Sequence, residues 1–148
     1  MKTTITELNE NDKDVWKSLW REYLVFYKTE LPDTVYESTW SRLSSKDQHE
    51  FNGFAARNDD GRIVGITHFL FHRSCWTIEN VCYLQDLFVE KESRGQGIAR
   101  QLIESVYTKA DETDQSRVYW MTQDFNTQAR YLYDNIATLT PFIKYARP

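Results

Sequence analysis

The sequence predicts an α/β fold, a single domain over residues 1–148 in which helices flank a mixed, mostly antiparallel sheet. Three observations carry that expectation. Apolar residues recur at helical spacing between residues 12 and 43 and again after residue 97. Residues 51–89 switch to strand-like runs joined by one strong turn. Length and composition are those of one globular domain, with 148 residues, 41% hydrophobic and 27% charged. The predicted order is β-α-α-β-β-β-α-β-α-β.

Residues 3–8 read as a first strand, closed by the polar turn Asn9-Glu10-Asn11-Asp12. Trp16, Leu19, Trp20, Tyr23, Leu24 and Tyr27 form one stripe of a helix over about residues 12–28, with Asp12 as its N-cap. Pro32 interrupts, and a second helix over 33–43 carries Val35, Tyr36 and Trp40. Phe51–Arg57, the hairpin turn Asn58-Asp59-Asp60-Gly61 and Ile63–His72 make a strand pair. Asn80–Val89 is nearly continuous in apolar residues, as a central strand covered on both faces should be. Ile98, Leu102, Val106 and Ala110 mark a helix that begins near Gly97. Arg117–Gln123 reads as a strand, Ala129, Leu132, Tyr133 and Ile136 as a last helix with Asn126 near its start, and Pro141–Tyr145 as a closing strand.

Charge and composition exclude several classes. The net charge of −4 argues against nucleic acid, whose binding leans on clustered Lys and Arg, and is compatible with a cationic substrate. No run approaches the ~18 apolar residues of a membrane helix, so no membrane partner is expected. The opening MKTTITELNENDKD lacks a signal peptide's apolar stretch, and two Cys make no disulfide framework; both predict a cytoplasmic protein. Aromatic residues, at 15%, can supply both a core and an aromatic-lined cleft.

The segment with the most chemistry runs from the strand Asp86-Leu87-Phe88-Val89 through a charged loop to Arg94-Gly95-Gln96-Gly97-Ile98-Ala99. A strand feeding a Gly-rich loop that opens into a helix presents backbone N–H groups and a helix N-terminus to phosphate or pyrophosphate. Arg94 and Arg100 can add side-chain pairing. A P-loop needs Lys-Ser/Thr after its last Gly, where this chain has Ile98-Ala99. A dinucleotide fingerprint needs a third Gly and an early position, and this loop has neither.

Arg94-x-x-Gly97-x-Ala99 resembles the Arg/Gln-x-x-Gly-x-Gly/Ala signature of the GNAT-superfamily N-acetyltransferases, and Asn126-x-x-Ala129-x-x-Leu132-Tyr133 resembles that family's second contact motif. Glu10-Asn11-Asp12-Lys13, the Trp16/Trp20 helix and Val118-Tyr119-Trp120 look most like the fungal histone and polyamine acetyltransferases and their bacterial relatives. The element order resembles the GNAT fold over almost the whole chain. The resemblance implies transfer of acetyl from acetyl-CoA to a primary amine: a polyamine, another small amine or a Lys side chain in a peptide. It implies direct attack in a ternary complex, without metal. Backbone groups of Leu87, Phe88 and Val89 would meet the pantetheine arm, with the N–H near Leu87 holding the oxyanion. N–H groups from Gly95 through Gln96, Gly97, Ile98, Ala99 and Arg100 would cradle the pyrophosphate, and Asn126 would bond the pantetheine. Tyr133 would be the general acid.

The sequence departs from the family at two places. Related diamine acetyltransferases carry Glu where this chain has Gln85, which leaves Asp86 as the candidate base; a central-strand Asp can also pair internally. Lys-x-Gly-Phe usually follows the Tyr, where this chain has Asp134-Asn135-Ile136-Ala137. Residue by residue there are rival readings. Tyr133, four after Ala129, also fits a core position, and Trp16 and Trp20 fit core packing. Tyr23 and Tyr27 fit either the core or the acceptor site. Glu30, Asp33 and Glu37 form either a solvated surface or a cationic subsite, with Tyr27 and Glu30 as the candidate acceptor contacts. His68 and His72 lie ~13 Å apart on one strand, too far for a shared zinc, so with Cys75 and Cys82 they predict no metal site. The rival function is a non-catalytic acyl-CoA-binding sensor or interaction module. The aromatic C-terminus suggests a homodimer.

Overall fold

A computed structural model describes residues 2–45 and 47–148. Its five strands stand in sequence order: β1 (Thr4–Glu7), β2 (Asn52–Arg57), β3 (Ile63–His72), β4 (Val81–Val89) and β5 (Val118–Tyr119). β1 through β4 pair antiparallel, and β5 joins β4 in parallel. The helices are α1 (Lys13–Phe26), α2 (Asp33–Leu43), α3 (Ile98–Glu112) and α4 (Thr127–Ile136).

Alternation along the strands, shifted at Val64 where β3 carries an extra residue opposite β2, divides the core into two layers. On one face Ala55, Ile63, Ile66 and Phe88 meet the α1 stripe of Trp16, Leu19, Trp20 and Leu24, with Tyr36 of α2. On the other face Ala56, Val64 and Val89 meet Ile98 and Leu102 of α3. Phe69, Cys82 and Leu84 meet Ile103 and Val106 of α3, and there α4 adds Leu132, Tyr133 and Ile136.

Three local expectations change. Asp12 precedes α1 but makes no side-chain cap. Its buried carboxylate instead takes both arms of Arg57, at 3.1 and 2.6 Å, and the Asn9 N–H at 2.8 Å. Burial alone would raise its pKa, but those partners outweigh it and hold the carboxyl below its ordinary value. The strand expected over Arg117–Gln123 shrinks to Val118–Tyr119, which pairs only with Cys82 and Tyr83. The closing strand expected over Pro141–Tyr145 is irregular chain. A two-residue edge offers almost no ladder, so the segment has the residues of a strand without backbone partners in its own sheet.

Candidate active site

β4 organises the site through a bulge. His68 pairs with Asp86, yet Phe69 pairs with Leu84, so Gln85 is the extra residue. The bulge shifts the alternation, sending Leu84 to the α3 face and Asp86 to the α1 face, while Gln85 points to solvent. Past Tyr83 no strand of the described residues pairs with the β5 side of β4.

That opening determines which backbone groups are available. Glu90 N–H bonds Val64 O on β3. By alternation, Phe88 also turns its N–H and C=O to β3, while Leu87 and Val89 turn theirs into the opening. The Val89 carbonyl accepts from Arg94 Nε at 2.9 Å, and the Arg94 guanidinium lies 5.5 Å over the Phe88 ring. Of the three residues expected to meet the pantetheine, Phe88 therefore contributes packing rather than free backbone. Arg94 spends its Nε on tying the loop to the strand. Arg100 likewise bonds Glu104 at 2.8 Å along the exposed side of α3.

The loop after β4 is held by buried Ser93, whose Oγ donates to Glu90, itself in a two-armed pair with Arg62 at 2.7 and 2.8 Å. The bonds from Arg62 hold the Glu90 carboxyl below its ordinary value. Gly95 and Gly97 both adopt φ +78, and a side chain at either would meet nothing within 4 Å. Only Gly takes two such conformations cheaply, and the space above them is open. The first helical bond of α3 runs from Gln101 N to Gly97 O, so the N–H groups of Ile98, Ala99 and Arg100 have no intrahelical acceptor. This is an anion cradle of the right chemistry for a pyrophosphate.

Side chains gather on the other side of β4. Asp86 Oδ2 lies 2.8 Å from His68 Nδ1, and His68 Nε2 accepts from Trp16 Nε1 at 2.8 Å. The Tyr23 phenol lies against the same carboxylate, and burial followed by Asp86 pushes its pKa far above the ordinary value. Tyr23 and Tyr27 pack with ring centroids 5.0 Å apart. Burial first, then neighbouring Tyr27, pushes the Tyr133 phenol up to about 12. Tyr133 also packs edge-on to Trp120 at 5.3 Å. Asp86, Tyr23 and Tyr27 thus gather on the α1 side, whereas Tyr133 packs on the α3 face beside Trp120, with its phenol near enough to Tyr27 to feel its charge. Asn126, half-buried at the start of α4, bonds Thr122 Oγ1 at 3.3 Å.

Glu30 is exposed and lies apart from this cluster's hydrogen bonds. Its acidic neighbours serve the fold: Glu37 pairs with Lys13 at 2.6 Å, and Asp33 with Lys17 at 3.5 Å and Arg21 at 3.9 Å. His72 bonds Tyr119 Oη at 2.8 Å. Sequence reasoning treated Trp16 as core and His68 as a discarded metal ligand, and missed that both serve Asp86. A carboxylate in a buried strand must find donors, and that signal pointed to a partner of unknown identity.

Residues 13–136 match the acetyltransferase (GNAT) family model. The chain belongs to that family. A D-amino-acid N-acetyltransferase of Saccharomyces cerevisiae, HPA3, is 34% identical over 97% of this chain and 89% of its own. A thialysine N-ε-acetyltransferase of Bos taurus is 35% identical over 48% of this chain and 41% of its own. Among solved structures, a ribosomal-protein-alanine N-acetyltransferase from Brucella melitensis superposes with a TM-score of 0.79 at 24% identity, over 99% of both chains. As a GNAT acetyltransferase the chain is an enzyme, and the cradle, Asp86 and Tyr133 all lie within the residues that the family match spans.

Proposed function

We propose that this N-acetyltransferase moves acetyl from acetyl-CoA to a small primary amine by direct attack in a ternary complex. One observation carries the reading: the opening beside β4 leaves backbone N–H groups free next to an anion cradle at Gly95–Arg100, with Asp86 on that same strand and Tyr133 on the helix packed against it. Acetyl-CoA supplies an activated acyl carbon, so that amine attack forms the amide, breaks the C–S bond and releases CoA thiolate.

The chain's residues divide the remaining work. N–H groups along Gly95, Gln96, Gly97, Ile98, Ala99 and Arg100 hold the pyrophosphate, and Asn126, Leu87 and Val89 hold the pantetheine. Leu87 N–H faces the charge that develops on the carbonyl oxygen. Asp86 accepts the proton that a primary ammonium, with pKa near 10.4, must lose before attack. Tyr133, at about 12, keeps its proton at physiological pH and donates a hydrogen bond, then the proton, to the departing sulfur.

With Asp33 and Glu37 committed to ion pairs with α1, exposed Glu30 is what that acidic group leaves for a cation, which supports an acceptor of one or two charges over a long polycation. The amino-acid substrates in the relatives' names support the same class. The exposed apolar tail, with Leu139, Phe142, Ile143 and Tyr145 each more than 70% exposed, supports a homodimer. We place the enzyme in the reducing cytoplasm, where exposed Cys75 and buried Cys82 stay free thiols.

Tyr133→Phe tests the reading. A catalyst loses about tenfold or more in thiol release while its acetyl-CoA affinity, measured by calorimetry, stays at the wild-type value. An acyl-CoA-binding module changes in neither.

A further inference from the structure

The hydrogen bonds at Asp86 determine where one proton sits. An indole N–H can only donate. His68 Nε2, 2.8 Å from Trp16 Nε1, must therefore accept and carry no proton. The ring's single proton is then on Nδ1, and it is donated to Asp86 Oδ2 at 2.8 Å. An imidazolium would set N–H against N–H across the Trp16 contact.

The arrangement is rigid. Trp16 is 0% and His68 4% exposed, and the indole is fixed by Trp20 at 5.4 Å and Trp40 at 4.9 Å. Thr67 Oγ1 donates to the Asp86 carbonyl at 2.7 Å, which fixes the strand at the bulge. The line Trp16–His68–Asp86 reaches from the centre of α1 to the strand beside the opening, across sequence separations of 52 and 18 residues.

We propose that His68, locked by Trp16 as the neutral Nδ1–H tautomer, is a positioning residue that aims the Asp86 carboxylate at the acceptor amine. The inference rests on the acetyl-transfer reading and adds the device that orients its base. His68 takes no proton in the reaction. With the Tyr23 phenol against the same carboxylate, it keeps Oδ2 engaged, so that the carboxylate meets the incoming ammonium in a single orientation.

Two measurements test it. The first is nitrogen-15 NMR of the imidazole rings in the free wild-type protein at neutral pH, with His68→Asn used to assign the signal. The His68 signal should show a proton on Nδ1 alone; a proton on Nε2, or on both nitrogens, overturns the proposal without reference to activity. The second is kinetic. His68→Leu should lower kcat about tenfold or more with KM for acetyl-CoA unchanged. His68→Asn, whose amide N–H can still reach Asp86, should recover most of that loss. Wild-type kcat in a His68→Leu protein with a native circular dichroism spectrum overturns the proposal, as does His68→Asn impaired to the same degree as Leu. Should His68→Leu not fold, Trp16→Phe, which frees the tautomer, must show a mixed imidazole signal and a lowered kcat. A wild-type protein that binds acetyl-CoA but acetylates no amine overturns the catalytic reading itself, and it is recognised by that pattern whatever the tautomer.

Discussion

The two sides of β4 are built on opposite principles. Toward the opening and α3, the site consists of main chain: Leu87, Val89, two glycines at φ +78 and the first turn of a helix. Toward α1, it consists of side chains from three elements, Trp16 and Tyr23, His68, and Asp86. The main-chain side needs glycine where the backbone turns and open space above it, and it places few demands on side-chain identity. The side-chain side needs each residue type in place, because each hydrogen bond sets the role of the next. On the proposed reading, one side holds acetyl-CoA and the other directs a proton.

Breaking each side should therefore have a different signature. Asp86→Asn removes the proposed proton acceptor and keeps the size, and it should have the largest effect. kcat should fall by about 10²–10⁴, with the calorimetric affinity for acetyl-CoA unchanged. A matching loss of acetyl-CoA affinity would erase the distinction between the two sides.

Alkaline unfolding sharpens the comparison next. An unfolded phenol ionises near 10, whereas burial holds Tyr133 to about 12. The folded state keeps a proton that the unfolded state has lost, so stability is full below pH 10 and falls as pH rises toward 12. The slope is up to about 1.4 kcal/mol per pH unit for this one group. Tyr133→Phe should show a shallower alkaline limb in thermal melts and the same stability slope below pH 9.

On the main-chain side, Gly97→Ala places a Cβ at φ +78, a strain of about 1–2 kcal/mol. It should weaken acetyl-CoA binding by about 5- to 30-fold, with kcat at saturation near the wild-type value. The smallest effect is expected at Glu30. Exposed and outside the cluster, it should change the KM for a cationic amine by no more than about threefold when replaced by Gln, consistent with the ~0–1 kcal/mol of a surface pair.

The contrast also explains what could be read from the sequence. A main-chain cradle is local: Arg94 to Arg100 lie within seven consecutive residues, and the two glycines mark where the backbone takes positive φ before α3, so the loop's conformation was legible. β3 and α3 were legible for the same reason, since periodicity is a local property. The Trp16–His68–Asp86 line was not legible, because its members stand 52 and 18 residues apart and each has an ordinary local explanation, as core or as a strand residue. The bulge at Gln85 was equally hidden, since it is a register shift between two strands and leaves no mark in either alone. Asp12 shows the same limit: its position before α1 suggests a cap, and only the fold brings Arg57 to it. The closing strand failed because a strand is a pairing property, and Pro141–Tyr145 has strand-like residues beside an edge only two residues long.

The most direct test of the account is mass-spectrometric detection of acetylated product from the wild-type protein with acetyl-CoA. The acceptor panel should include spermine, spermidine, D- and L-amino acids, aminoglycosides and a Lys-containing peptide. The account predicts a product heavier by one acetyl group on a small amine of one or two charges, together with release of stoichiometric free CoA. Acetyl-CoA bound in calorimetry without product on any amine would contradict it.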